Sequence, residues 1–431
     1  MEKAKSSWVE EKHRARDNPS DAFAALKRSA YDQFSRHGFP GTRLERWRLT
    51  DVSAIASAAW ESPPNRGDAL AQAPRFPEWS STGVRLVFLD GLLQPQWSTL
   101  STVEGRVEII PFSQLGGDLL RRVQNRMAET GQIDEQPFLH LNTALMDEGV
   151  VVRIPDAVHL GAPVTLLHYS AAAAPVALHP RTMVLVGDRA EAAVIEYYAG
   201  AAGTRYFRNP VADVSIGDES RLAHYVLQLE SGAAHHVSFT RSTQGRNSHY
   251  TRFAIDFGGS LVRHDTVAEL HGEGGEAVLN GLYMPTQRQH LDHHTTLRHL
   301  QPHTFSRQLY KGVLNGAAHA VFNGRIHVAR EAQKTDAIQY NRNLLLCDDA
   351  LADTQPQLEI FADDVRCTHG GTIGQLHEDG LFYLRARGIG AETARHMMVH
   401  AFAGEVTERI KHEALRAQVD RWVLERLGWE G

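Results

Sequence analysis

From about Val150 to His377 the chain runs in short alternating segments separated by Gly, Asp, Asn and Pro, and no long amphipathic helix interrupts them. Successive side chains of a strand point to opposite faces, so the segments read as strands and the separators as turns. Phe253, Ile255 and Phe257 share one face, while Arg252, Ala254 and Asp256 share the other. Ala223, Tyr225, Leu227 and Leu229 repeat the scheme, as do Leu358 and Ile360 beside Glu359 and Phe361. A run of strands this long folds as a sandwich, a barrel or a β-solenoid. No strict sequence repeat is evident, so periodicity alone leaves the three open.

The two ends read differently. Asn18-Pro19-Ser20 precedes Phe23, Leu26, Ala30 and Phe34, spaced by three and four, with Gly38 and Pro40 as a stop signal. A second helix is expected over about Ser113 to Glu129, a short strand over Val84 to Asp90, and a loop from Asn65 to Trp79. In the tail, Met397, Met398, Ala401, Phe402, Val406 and Ile410 form one apolar stripe. Val419, Trp422, Val423 and Leu427 form a second, after a bend near Lys411 to Glu413. Such a tail either caps the β core or offers a ridge to another protein. The division is therefore an α-rich region over 1–149, a β core over 150–385 and a helical region over 386–431.

Composition removes several functions. A net charge of -6 argues against a general nucleic-acid binder, which carries a basic footprint. The charged N-terminus lacks the apolar stretch of a secretory signal, and no run of about 18 apolar residues is present to span a membrane. Cys347 and Cys367, the two cysteines, cannot build a disulfide framework, which points to a reducing cytoplasm. They also limit metal chemistry. An iron–sulfur cluster usually takes four ligands, commonly thiolates, so any cluster here draws the rest from other residue types, a partner or a small thiol.

Within Leu358 to Gly374, LEIFADDVRCTHGGTIG, Cys367 and His369 lie two apart at the end of an alternating segment. In a strand they project side by side, and both suit soft or borderline metals. The plain alternative is a buried thiol and a hydrogen-bonded imidazole closing a strand. A second cluster, HLDHH, sets His290, Asp292 and His294 on one strand face and His293 on the other. That pattern suits a polar ladder on a solvated sheet or interface, or a site of two histidines and a carboxylate for non-haem iron. A carbohydrate-active enzyme would need paired carboxylates such as Asp363-Asp364 or Asp348-Asp349 in an open cleft. No phosphate-binding G-x-x-x-x-G-K-[ST] and no G-x-S-x-G elbow occur, and Gly388-Ile389-Gly390 lacks the third glycine of a dinucleotide fingerprint.

Longer matches carry a resemblance. SRQLYKGVLNG (Ser306 to Gly316), AVFNGRIHVAREAQKTDAIQYNRNLLLCDDA, PQLEIFADDVRCTHGGTIGQL, FYLRARGI (Phe382 to Ile389) and HAFAGEV (His400 to Val406) closely resemble the SufB/SufD scaffold family of the SUF iron–sulfur cluster assembly system. NGLYMPTQRQHLDHHT and the N-terminal GFPGTRLERWRLT are also similar. SufB-like chains carry Cys-Glu-His at the Cys367-Thr368-His369 position and often a cysteine-rich N-terminal motif; Thr368 and the absence of that motif place the resemblance on the SufD side. It implies a right-handed parallel β-helix core between helical ends, and a non-catalytic scaffold with ATPase activity in a partner. It also implies a SufB-like scaffold bound through the β-helix and a SufC-like ATPase bound through the C-terminal helices, 391–427. A transient cluster would be shared with a partner, with His369 ahead of Cys367 as ligand. A homodimer of the isolated chain is a further expectation. The alternatives are a docking subunit that never touches the cluster, and a metal-dependent enzyme using His290, Asp292 and His294.

Overall fold

The computed structural model describes residues 7–63, 74, 76–99, 106–133, 136–146 and 148–428. From Val211 onward successive strands alternate between two sheets, and each pairs in parallel with the strand two further along the chain. The result is a parallel β-solenoid of about 8 turns. Its later strands in one sheet are His249–Asp256, Glu276–Tyr283, Phe305–Leu314, Asp336–Leu345 and Arg366–Gly374. The facing sheet holds His235–Gln244, Leu261–Leu270, His290–His299, His319–Val328 and Leu351–Ile360. Of the three folds open to a strand-rich chain, the solenoid is the one formed, with helices at both ends as expected.

The turns reveal why no repeat was evident. Gly187, Gly217, Gly245 and Gly272 recur at spacings of 30, 28 and 27 residues. At the first three of these turns an aspartate carboxylate caps the next rung. Asp156 Oδ1 accepts from the Asp188 amide at 2.9 Å, Asp188 Oδ1 from the Asp218 amide at 2.9 Å, and Asp218 Oδ1 from the Arg246 amide at 2.7 Å. A Cβ on Gly217 would stand 2.5 Å from Asp188 Oδ1, so the ladder requires glycine there. The repeat is thus a single glycine, often followed by Asp, at a drifting interval. It lies below what strict periodicity detects.

In the middle rungs both faces of a strand are covered, and all of Leu261–Leu270 is buried. Inward positions such as Val262, Ala268, Leu279 and Leu291 fill the axis, while outward positions meet helices. Ala391–Thr407 and Glu413–Leu427 lie on the outer face of one sheet, setting Val399, Ala403, Val406, Ile410, Val419 and Val423 against Phe253, Ile255, Leu309 and Val313. Val406, Ile410, Val419 and Val423 are buried as the stripes predict, but the line shifts at the start of the first of these helices. Met397 is 39% exposed and Val399 takes the buried place, because the sheet's outward side chains, not the helix's own longest residues, fix the contact line. Helices Ser7–Arg16, Ala24–His37 and Pro137–Leu145 cover the facing sheet through Trp8, Phe34, Phe138 and Leu141.

The second expected helix spans Gly117–Thr130, and the expected strand spans Val84–Leu89. That strand joins the solenoid, pairing with Val164–Ser170, and Glu108–Pro111 pairs antiparallel with Gly149–Ile154. The N-terminal region therefore supplies capping strands as well as helices. Most of the loop expected from Asn65 to Trp79 lies outside the described residues.

Candidate functional site

The solenoid is closed at one end and open at the other. Among the described residues, Leu351–Ile360 and Arg366–Gly374 are the last strands of their sheets, and each pairs along one edge only. Their free edges carry backbone donors and acceptors in a row, which is a template for another chain. Leu351 and Phe361, each 60% exposed, stand at this end with Ile360 and Ile373, so apolar surface borders the unpaired backbone.

Cys367 lies opposite Ala337, and His369 opposite Gln339. In-register neighbours of a parallel sheet project to the same side, and both Ala337 and Gln339 are buried in the axis. Cys367 and His369 therefore face along the solenoid's interior at the rung where that interior opens. Thr354 of the facing sheet forms the opposite wall, close enough that a Cβ on Gly371 would meet its methyl at 3.0 Å. His369 is exposed because no rung follows, while Cys367 is half-buried against the apolar core. Burial, seconded by the Asp336 carboxylate, pushes the Cys367 thiol up from its ordinary value. A thiol must lose its proton to bind metal, so the imidazole is the readier donor of the two. Two donors at an open rim are fewer than the four ligands an iron–sulfur cluster usually takes.

The other candidates are placed differently. His290, Asp292 and His294 do share one face of their strand, but that face is covered rather than solvated. Asp292 Oδ2 accepts from Arg263 Nη1 at 2.7 Å and from Thr50 Oγ1 at 2.6 Å; His294 Nε2 lies 3.0 Å from Asp292 Oδ1, and Thr50 also meets His290 Nε2 at 2.8 Å. The carboxylate is thus committed to a guanidinium that stacks on Trp47 at 3.7 Å. Among the described residues no group of three or more His, Cys, Asp or Glu side chains is gathered to hold a metal ion. Asp364 is ion-paired with Lys334, and Asp348 accepts from Gln375. Cys347 donates its thiol hydrogen to Asn315 Oδ1 at 2.9 Å.

The interior holds a polar seam that the alternation did not reveal. Arg252 and Asp256, assigned only to a common face, turn inward and are buried. His236, His264 and His293 follow one another on successive rungs with ring centres 5.2 Å apart, the first pair tilted and the second stacked. His236 Nδ1 lies 3.0 Å from Glu230 Oε1, His264 Nε2 lies 2.8 Å from Asp256 Oδ1, and Arg208 Nε donates to Glu230 Oε1 at 2.7 Å. Burial alone would raise the Glu230 carboxyl, but Arg208 and His236 overcome it and hold it down at about 2. Burial lowers His293 to about 3, so it is neutral at physiological pH. The signal was a polar residue recurring at one inward position per rung, which requires the rung length to be known first.

A family model described as "SUF system FeS cluster assembly, SufBD core domain" matches residues 168–402. The chain is 33% identical to the iron–sulfur cluster assembly protein SufD of Escherichia coli (strain K12) over 405 residues, covering 92% of this chain and 91% of that protein. It is 31% identical over 407 residues to the SufBD family protein slr0076 of Synechocystis, covering 92% and 89%. Protein ABCI7, chloroplastic, of Arabidopsis thaliana is 30% identical over 436 residues, covering 94% and 91%.

Proposed function

This chain belongs to the SufBD family of SUF-system iron–sulfur cluster assembly proteins, and from that membership we propose that it is a non-catalytic scaffold subunit, of the SufD kind, on which a nascent cluster is built at an interface with a second scaffold. The observation that carries the reading is the placement of Cys367 and His369 on the inward face of the last, open rung. Their neighbours at that rim are unpaired strand edges and exposed apolar side chains, which suit a second solenoid docking end to end. A SufB-like chain docked there supplies the ligands that two donors leave wanting. The iron and sulfide are cargo, built up and passed on, so His369 acts as first ligand and Cys367 as its neighbour.

The chain has no phosphate-binding loop, so a SufC-like ATPase supplies hydrolysis and docks on the C-terminal helices, 391–427, together with the helix before them. Glu378–Ala386 buries none of its side chains, and Phe382 and Tyr383 are exposed on it. The apolar residues of the two later helices are largely spent on the sheet, which makes this first helix the free apolar part of the tail. No helix among the described residues is long and apolar enough to cross a membrane, in keeping with a cytoplasmic complex.

The test is co-expression with the partner scaffold and ATPase, followed by anaerobic purification and assay of iron, acid-labile sulfide and the visible spectrum. A ternary complex that carries iron and sulfide, with the chain contributing His369, is the expected result. A complex that loads normally without this chain would contradict the reading.

A further inference from the structure

Lys311 points outward from the strand Phe305–Leu314, beneath helix Ala391–Thr407, and is 3% exposed. Its Nζ donates to the Phe402 carbonyl oxygen at 2.9 Å, stands 4.1 Å over the Phe402 ring and is ion-paired with Glu405. Arg342, in register with Lys311 on the next rung, reaches the same Glu405 carboxylate at 3.2 Å. Thr372, on the terminal strand, is the next residue in that register column. Arg409 closes the set, donating from Nε to the Glu405 carbonyl oxygen at 3.0 Å. One helix carboxylate therefore ties together the two rungs immediately behind the strand that carries Cys367 and His369.

Two further facts make this more than a packing contact. Only Gln375, Leu376 and His377 separate the terminal strand from helix Glu378–Ala386, so the helical unit pulls on that strand through the chain as well. Beside the latch, between helices and sheet, lies a cavity of about 450 Å³ lined by Met284, Val313, Leu346, Leu376, Val399 and Leu427 among others. Close-packed interfaces resist sliding, and a solvent-open cleft of that size between helices and sheet leaves part of this one without packed contacts. A partly buried ion pair over a loosely filled interface holds one position of the helices firmly and leaves others accessible once it breaks.

We propose that Glu405, held by Lys311 and Arg342, is a positioning latch that couples displacement of the C-terminal helices to the strand bearing Cys367 and His369. The proposal rests on the scaffold reading only for what drives the displacement, namely the ATPase docked on those helices. The latch itself is a property of this chain alone.

Glu405→Gln removes the charge that both cations share, and Arg342→Gln, at a more exposed partner, weakens the latch without emptying a buried site. Hydrogen–deuterium exchange on each isolated full-length variant reads the coupling directly. Amides of Arg366–Gly374 should exchange about tenfold faster than in the parent, while those of Glu276–Tyr283 stay as they were. Parent-like exchange at the terminal strand in both variants would overturn the proposal. So would uniform acceleration across all strands, which marks a general loss of stability. In the assembled complex, cluster formed per ATP hydrolysed should fall about fivefold or more. An unchanged ratio would overturn the coupling. A parent complex that forms no cluster at all would count against the scaffold reading, and the exchange result would still decide the latch.

Discussion

Gly312 sits where the inward face of the solenoid has no room for a side chain. A Cβ there would stand 2.2 Å from Tyr283 Cε2 and 2.4 Å from Asn343 Oδ1, two buried residues joined by a 2.7 Å hydrogen bond from the Tyr283 hydroxyl. Gly312→Ala should therefore cost about 1–3 kcal/mol, read as a lower urea midpoint with an unchanged slope. The same axis two rungs further on carries Cys367 and His369, where the interior runs out and a side chain has space to bind something. Single residues set the order of ligands we propose for that site. Cys367 is partly buried with its thiol pushed up, whereas His369 is exposed, so Cys367→Ala should impair cluster formation less than His369→Ala does in the same complex. A complete loss with Cys367→Ala alone would reverse that order. The pair itself was legible in the sequence, because spacing by two puts both side chains on one strand face. Which face that is was not, since the alternation of Arg252 and Asp256 with Phe253 and Ile255 is equally consistent with either side turned inward.

At the scale of elements, the tail separates into parts with different tasks. Ala391–Thr407 and Glu413–Leu427 bury their apolar residues on the sheet, and Glu378–Ala386 does not. Phe382 is 75% exposed, so Phe382→Asp removes apolar surface without opening the core. The thermal midpoint of the isolated chain should stay within a degree or two, and retention of the ATPase in pull-downs should fall at least about tenfold. Retention at the parent level would move the docking surface elsewhere. The two long tail helices were legible from stripes spaced by three and four, and Val406, Ile410, Val419 and Val423 are buried as those stripes predict; at the start of the first helix the line was not legible, because a sheet with apolar residues at alternate outward positions selects Val399 and Ala403 over Met397. The latch on Glu405 was likewise invisible, since Lys311, Arg342 and Glu405 meet only once two rungs and a helix are assembled.

The whole molecule is a solenoid whose axis changes character along its length, with histidines and carboxylates in the middle rungs and an open end. Buried His168, His293 and His299 are each lowered to about 3 by desolvation. A histidine kept neutral by the fold takes up its proton in the unfolded chain first, below an ordinary value of about 6.5. Unfolded chains then bind more protons than folded ones, so stability falls as the pH drops from about 6.5 toward 3, by up to about 1.4 kcal/mol per pH unit for each such group. Glu230, held at about 2, has the same sign at lower pH, since its contribution is present above the ordinary carboxylate range and is lost as pH falls toward 2. Thermal midpoints measured from pH 7 to pH 4 should therefore decline steadily, and His293→Phe should flatten the decline between pH 6.5 and 5. A flat profile would mean that the seam titrates normally. The fold class was legible as strands without helices, and the solenoid only through resemblance, because its repeat is a single glycine at four successive turns, at intervals of 30, 28 and 27 residues, and is absent from the later ones.

The central claim is that His369, at the open end of this solenoid, holds part of a cluster completed by another chain. The most direct measurement is the iron and sulfide content of the anaerobically purified three-subunit complex carrying His369→Ala, beside the parent complex. We expect the variant complex to assemble in the same proportions with iron and sulfide reduced to background. Parent-level iron and sulfide in an intact variant complex would contradict the account.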